Sequence, residues 1–223
     1  MLGWALIAAT VLFASCAAGP RPAGAPVPAA APAPAMVLPP EACMTYRELG
    51  SASWYGKEFH GRKTANGETF DMNGISAGHR TLPLGTVVRV TSLDNYKSIK
   101  VKINDRGPFA RNRVIELSYG AARELGFVEM GTARVKIESV EPIEESEALY
   151  TVQAGAFLEV ESALSLKGRL GKKFETISIE PFESNVAKFY RVRVGAYPTE
   201  EKAERVAAKL TLESVEPVVV RKD

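Results

Sequence analysis

Asp105 closes one element and opens another. Ile99, Val101 and Ile103 alternate with Lys100, Lys102 and Asn104, the period of a half-buried β-strand. The run stops at Asp105-Arg106-Gly107-Pro108, because Gly and Pro end strands. A carboxylate is thereby set at the rigid mouth of a sheet, a place where chemistry is commonly built. Three earlier stretches carry side chains able to accompany it. Thr64-Ala65-Asn66-Gly67-Glu68 is a turn presenting a second carboxylate, and Ala77-Gly78-His79-Arg80-Thr81-Leu82-Pro83 carries one of two histidines. Ser51-Ala52-Ser53-Trp54-Tyr55-Gly56 adds two aromatics and a hydroxyl. Taken singly, each has a bland account: an Asx-turn at Asp105, a solvated acid at Glu68, a satisfied structural histidine at His79, and core aromatics at Trp54 and Tyr55.

Elements must hold these residues in place. Strand-like stretches run over 50–55, 86–93, 98–104, 113–117 and 132–140, with one short helix over 119–125 that Gly126 ends. Many short strands with Gly-rich turns point to a small barrel over 47–140. An acidic break, 141–148, follows. Beyond it lies an internal repeat: Tyr150-Thr151-Val152-Gln153-Ala154-Gly155-Ala156-Phe157 returns as Tyr190-Arg191-Val192-Arg193-Val194-Gly195-Ala196-Tyr197. Each copy is followed by a helical pattern (Ala163, Leu166, Leu170; then Ala203, Val206, Ala207, Leu210) and by a strand, 174–180 and 215–221. The order βαββαβ is a split ferredoxin-like arrangement over 149–223, with both helices on one face.

That arrangement predicts which side chains face away from the helices. Val152, Ala154, Val192 and Val194 face them; period two then sets Thr151, Gln153, Gly155 and Phe157 on the open face, beside Arg191, Arg193, Gly195 and Tyr197. Such a face is a platform for an extended polymer, sugar or base. The alternative is a merely solvated sheet.

The first residues speak of export. Leu2 to Phe13 is apolar and free of charge, too short to span a bilayer and suited to the core of a signal peptide over 1–15. Phe13-Ala14-Ser15-Cys16 resembles the lipobox of bacterial lipoproteins, which implies a lipid on Cys16 and anchoring to a membrane. An ordinary secretory signal with an incidental cysteine is the alternative. Ala17, not Asp, follows, resembling the pattern for sorting to the outer membrane. From 16 to 46 the chain is largely Ala, Pro, Gly and Val, a semi-extended tether. The second cysteine, Cys43, is left as a bare thiol or an intermolecular partner. Charged residues make up 24% of the 223, with a formal net charge of +2, so there is no electrostatic case for nucleic acid. No metal cluster, cofactor motif or nucleotide loop is apparent.

Ala-Ser-Trp-Tyr-Gly, Phe-His-Gly, Thr-Ala-Asn-Gly-Glu, His-Arg-Thr-Leu-Pro and Asn-Asp-Arg-Gly-Pro occur here in that order, between Ala52 and Pro108. Together they resemble the rare lipoprotein A family, whose barrel is an all-β, six-stranded double-psi β-barrel. Glu116 stands where that family usually has Asp, and Gly78 where Ala is common. The second half resembles a SPOR domain, a family that binds peptidoglycan strands stripped of stem peptides at the division septum. The barrel resembles those of expansins and of a lytic transglycosylase family. These resemblances imply a lytic transglycosylase cutting the bond between N-acetylmuramic acid and N-acetylglucosamine, with 1,6-anhydro ends as product. They imply Asp105 as acid/base, Glu68 as a like charge or a stabiliser of the positive centre, and His79 as orienter of a carboxylate or hydrogen-bond partner of the sugar. Ser53, Trp54 and Tyr55 would line the groove, with Gln153, Phe157, Arg193 and Tyr197 as glycan contacts. Proteins of the division machinery are candidate partners. A barrel that grips glycan without cutting it, as expansins do, is the rival, and a hydrolase of the same bond a third reading.

Overall fold

The computed structural model describes residues 46–143, 147–183 and 187–222. The expected leader, Cys16, Cys43, the tether up to residue 45 and the middle of the acidic break lie outside the described residues.

The first half closes on itself. Its strands are β1 (Arg47–Tyr55), β2 (Ser76–His79), β3 (Val87–Ser92), β4 (Ser98–Asp105), β5 (Ile115–Ser118) and β6 (Thr132–Ser139), with α1 (Tyr119–Leu125) between the last two. Around the barrel the order is β1-β5-β2-β4-β3-β6. The β1–β5 and β2–β4 pairs are parallel, and the other four pairs are antiparallel. This is the six-stranded double-psi barrel, and closure leaves it no free edge.

Alternation explains the interior. Val88, Val90, Val101, Ile103, Ile115, Leu117, Val135 and Ile137 all point inward and are essentially sealed. Burying each such side chain stabilises by about 1.5–3 kcal/mol. Ser118 begins α1 by accepting a hydrogen bond from the Ala121 amide, and Gly126 ends it in the left-handed conformation. The strand absent from the pattern reading is β2. Its four residues, Ser-Ala-Gly-His, send only Ala77 into the barrel core cluster, so no apolar alternation announces it.

The second half is a four-stranded antiparallel sheet of order β10-β7-β9-β8. It is built from β7 (Leu149–Phe157), α2 (Val160–Leu170), β8 (Ile177–Glu183), β9 (Lys188–Tyr197), α3 (Glu200–Thr211) and β10 (Val218–Lys222). The expected βαββαβ order holds. Val152, Ala154, Val192 and Val194 form one core with Ala163, Leu166, Leu170, Ala203, Ala207 and Leu210. Strand β8 starts and ends about three residues later than its pattern and runs through Pro181. Proline is tolerated there because β8 is an edge strand.

Candidate active site

The barrel positions Asp105 by breaking its own period. Continued alternation from Val101 and Ile103 would send Asp105 inward. Between Ala77 and Gly78 the β2–β4 register slips, so Ile103 faces Ala77 while Asp105 faces Gly78. Asn104 is the extra residue of this β-bulge, and the bulge turns Asp105 out of the core. On the other side of β2, Gly78 pairs with Glu116 of β5. Asp105 and Glu116 therefore flank one glycine, with their strands about 10 Å apart. Gly78, lacking a side chain, leaves open the ground between two carboxylates.

A cavity of about 540 Å³ covers this ground, and Tyr55, Gly78, Asp105 and Glu116 are in its lining. Asp105 Oδ1 accepts hydrogen bonds from the backbone N–H groups of Ala65 (3.0 Å) and Arg106 (2.8 Å). Burial is the largest influence on this carboxyl and raises its pKa; the two amides and the charges of Arg191 and Arg106 pull it only partly back. Burial likewise raises Glu116, with Asp105 adding a smaller like-charge push. Oδ1 is committed to two donors, so a proton on Asp105 resides on Oδ2.

Glu68 stands elsewhere. Its carboxylate meets Lys102 Nζ at 2.5 Å and accepts from Asn104 Nδ2 at 3.0 Å. Those bonds, with Asn66, pull its pKa down to about 2. The expectation that Glu68 raises Asp105 by like charge is therefore corrected: burial does so, and the like charge in the cavity is Glu116. The Thr64–Glu68 turn still serves the site. Its Ala65 amide holds Asp105 and its Asn66 amide donates to the Asn104 carbonyl at 3.2 Å.

His79 is likewise apart from the cavity, with 3% of its surface exposed. Its Nδ1 accepts from the backbone amides of Thr81 (3.2 Å) and Leu82 (3.0 Å), so Nε2 carries the hydrogen and donates to Glu48 at 3.1 Å. Tyr46 also bonds Glu48 and packs edge-on against the His79 ring. Burial lowers the His79 pKa and keeps it neutral. The expected orienting imidazole does not reach Asp105. What reaches it is the turn that His79 ties: Arg106 Nη1 donates to the carbonyls of His79 (3.0 Å) and Leu82 (2.7 Å).

Ser53, Trp54 and Tyr55 divide. Tyr55 lines the cavity and stacks on Phe70, ring centres 4.5 Å apart. Ser53 is buried and makes a long 3.4 Å bond to Glu116 Oε1. Trp54 faces away, donating to the Val128 carbonyl and meeting Tyr119 edge-on. Period two puts neighbouring side chains on opposite faces, which is why all three do not line one groove.

The second sheet meets the same cavity. Gln153, Arg191 and Arg193 line it beside the barrel residues. Gln153 is only 5% exposed, so this face is covered rather than open. Arg193 is held by Glu180 at 2.8 Å. Phe157 and Tyr197 are not on that face. The β7–β9 register slips between Gln153 and Gly155, and Gly195 takes the left-handed φ of +68°. Beyond these points the faces exchange. Phe157 and Tyr197 pack with the helix-side core, where a side chain at Gly155 or Gly195 would collide with their rings.

Pattern reading left Glu116 without a role, although a carboxylate between inward-facing Ile115 and Leu117 must point outward. Phe109, in the loop after Asp105, carried no periodic signal at all. Among the described residues no cluster of His, Cys, Asp and Glu suits a metal ion.

Comparison with known proteins agrees with this architecture. Residues 47–137 match the family model described as lytic transglycolase, and residues 146–221 match the SPOR domain. The endolytic peptidoglycan transglycosylase RlpA of Pseudomonas aeruginosa is 60% identical over 99 residues, 44% of this chain but 29% of its own length. The chain thus spans under a third of that relative. The protein of the same name from Neisseria meningitidis (strain Z2491) is 38% identical over 171 residues, 74% of this chain and 71% of its own. That of Vibrio cholerae is 39% identical over 165 residues, 70% and 62% respectively. With identity sustained along most of the Neisseria relative and both modules matched in order, the chain belongs to the RlpA family of endolytic peptidoglycan transglycosylases.

Proposed function

We propose that this protein is a lytic transglycosylase of the cell envelope, lipid-anchored through Cys16 to the outer membrane. It cuts the bond between N-acetylmuramic acid and N-acetylglucosamine in peptidoglycan strands that lack stem peptides, and the SPOR module brings it to the septum. The observation that carries this reading is Asp105: a half-buried carboxyl in the lining of a cavity, with raised pKa and one oxygen already occupied.

A glycosidic bond needs a proton on its bridging oxygen as positive charge grows at C1. Asp105 gives that proton from Oδ2, the C1–O bond breaks, and the leaving sugar keeps the electron pair as a hydroxyl. The carboxylate then takes the proton of the C6 hydroxyl on the same sugar, whose oxygen bonds to C1. A 1,6-anhydro end results, Asp105 is again protonated, and no water is consumed. Glu116, across Gly78, supplies the second carboxylate toward the positive centre. Glu68 and His79 act through structure, as the clamp on the Asn104–Asp105 segment and the tie of the turn that holds Arg106.

The discriminating experiment incubates the purified protein with peptide-free glycan strands and analyses products by mass spectrometry. Anhydro ends that disappear in Asp105→Asn support the reading. Reducing ends would instead make it a hydrolase. Strands bound and left whole would make it a glycan-holding scaffold.

A further inference from the structure

We infer that Arg191, carried by the second module, is a positioning residue of the barrel's carboxylate site, so that the site is complete only with both modules docked. The inference rests on the catalytic reading of Asp105. Arg191 lies on β9, and its guanidinium sits 4.6 Å from the ring centre of Phe109 of the barrel and 3.6 Å from that of Phe182 on β8. A cation held against two aromatic rings in a partly dry site is restrained in position. It lines the same cavity as Asp105 and Glu116. The docking has further ties: the Arg221 amide of β10 donates to the Arg80 carbonyl at 2.9 Å, and Arg62 lies 5.6 Å from the Phe182 ring centre.

Among the described residues, the charged and titratable groups that act on Asp105 include Arg106 on its own turn, Tyr55 on β1, Glu116 on β5 and Arg191 on β9. Arg62, Lys63, Arg193, Arg221 and Lys222 also line the cavity, Arg193 being paired with Glu180. Arg106 is anchored to the carbonyls of the His79 turn. Of the two cations that lower the Asp105 pKa, Arg106 and Arg191, it is Arg191 whose place depends on the second module. Burial lowers its pKa to about 10, which still leaves it charged at neutral pH. An acid/base carboxyl must be protonated before the bond breaks and ionised afterwards. Burial favours the first state, and a fixed cation opposite stabilises the second without reorganisation. Arg191 fills that second need.

The test uses the full chain with Arg191→Met, which removes the charge but keeps a long apolar stem, and Arg191→Lys, which keeps the charge. The ¹³C signal of the Asp105 carboxyl is titrated by NMR, and release of anhydro ends is followed against pH. In Arg191→Met the Asp105 midpoint rises, the alkaline limb of activity moves to higher pH, and the maximal rate falls about tenfold. Arg191→Lys returns the midpoint most of the way. An unchanged midpoint in Arg191→Met, or equal behaviour of the Met and Lys variants with only melting temperature lowered, overturns the inference and leaves Arg191 as a docking contact. If the unaltered protein cuts no glycan, the catalytic reading fails, while the NMR midpoint still decides whether Arg191 acts on Asp105.

Discussion

The ends of β4 and β7 make an instructive pair. Each begins as a regular alternation, and each contains a slip in register close to a residue expected to function. In β4 the slip turns Asp105 out of the barrel interior and into the cavity. In β7 it turns Phe157 away from the cavity and onto the helix layer. The same device delivers one side chain to the site and withdraws another. The two strands differ in the chemistry of the side chain that is re-aimed: a carboxylate cannot remain in an apolar barrel without cost, whereas a phenyl ring gains from joining a core.

Asp105→Asn keeps the amide-accepting oxygen but removes the transferable proton, and release of anhydro ends should fall about 10²–10⁴-fold. The same variant should melt higher than the parent at neutral pH. A carboxyl whose folded pKa is raised contributes stability below its unfolded pKa and loses it as pH rises through the folded value. The gain from Asn should therefore vanish in acid, and calorimetry at pH 7 and near pH 3 measures both. A gain that persists at low pH would mean that burial does not govern this group.

Next in size come the residues that act through structure. His79→Ala strands the Glu48 carboxylate and two backbone amides, and should cost about 2–4 kcal/mol in denaturant unfolding. Catalysis per folded molecule should change far less than in Asp105→Asn. Phe157→Ala should behave similarly, costing about 1–3 kcal/mol through lost packing with the helix layer. A Phe157→Ala protein as stable as the parent but unable to bind glycan would return that ring to the binding face.

Gln153→Ala sharpens the other side. On the cavity face it should lower affinity for peptide-free strands about tenfold, as seen by calorimetric titration, with little change in melting temperature. The smallest contrast is between the two glutamates. Glu116→Gln should slow the reaction about tenfold, while Glu68→Gln, which loses only an exposed pair, should slow it less than about threefold. Equal losses would put Glu68 back into the chemistry.

Much of the architecture was legible in the residues. Alternation placed β3, β4 and β6, the repeat announced βαββαβ, and the helices carried their apolar positions at helical spacing. These are local or periodic signals, written by the requirement that apolar side chains leave water. Asp105 was marked by the strand-to-turn transition and by the Asn-Asp-Arg-Gly-Pro motif in which it lies. What the chain order could not express was decided by long-range pairing. The slip that re-aims Asp105 depends on β2, a strand with no pattern of its own. Glu116 joins Asp105 because both pair with Gly78, 27 and 38 positions away in the chain. Arg191 meets Phe109 only when the second module docks. Bulges and docking are set by which strand lies beside which, and a period counted along one strand contains no information about its neighbour.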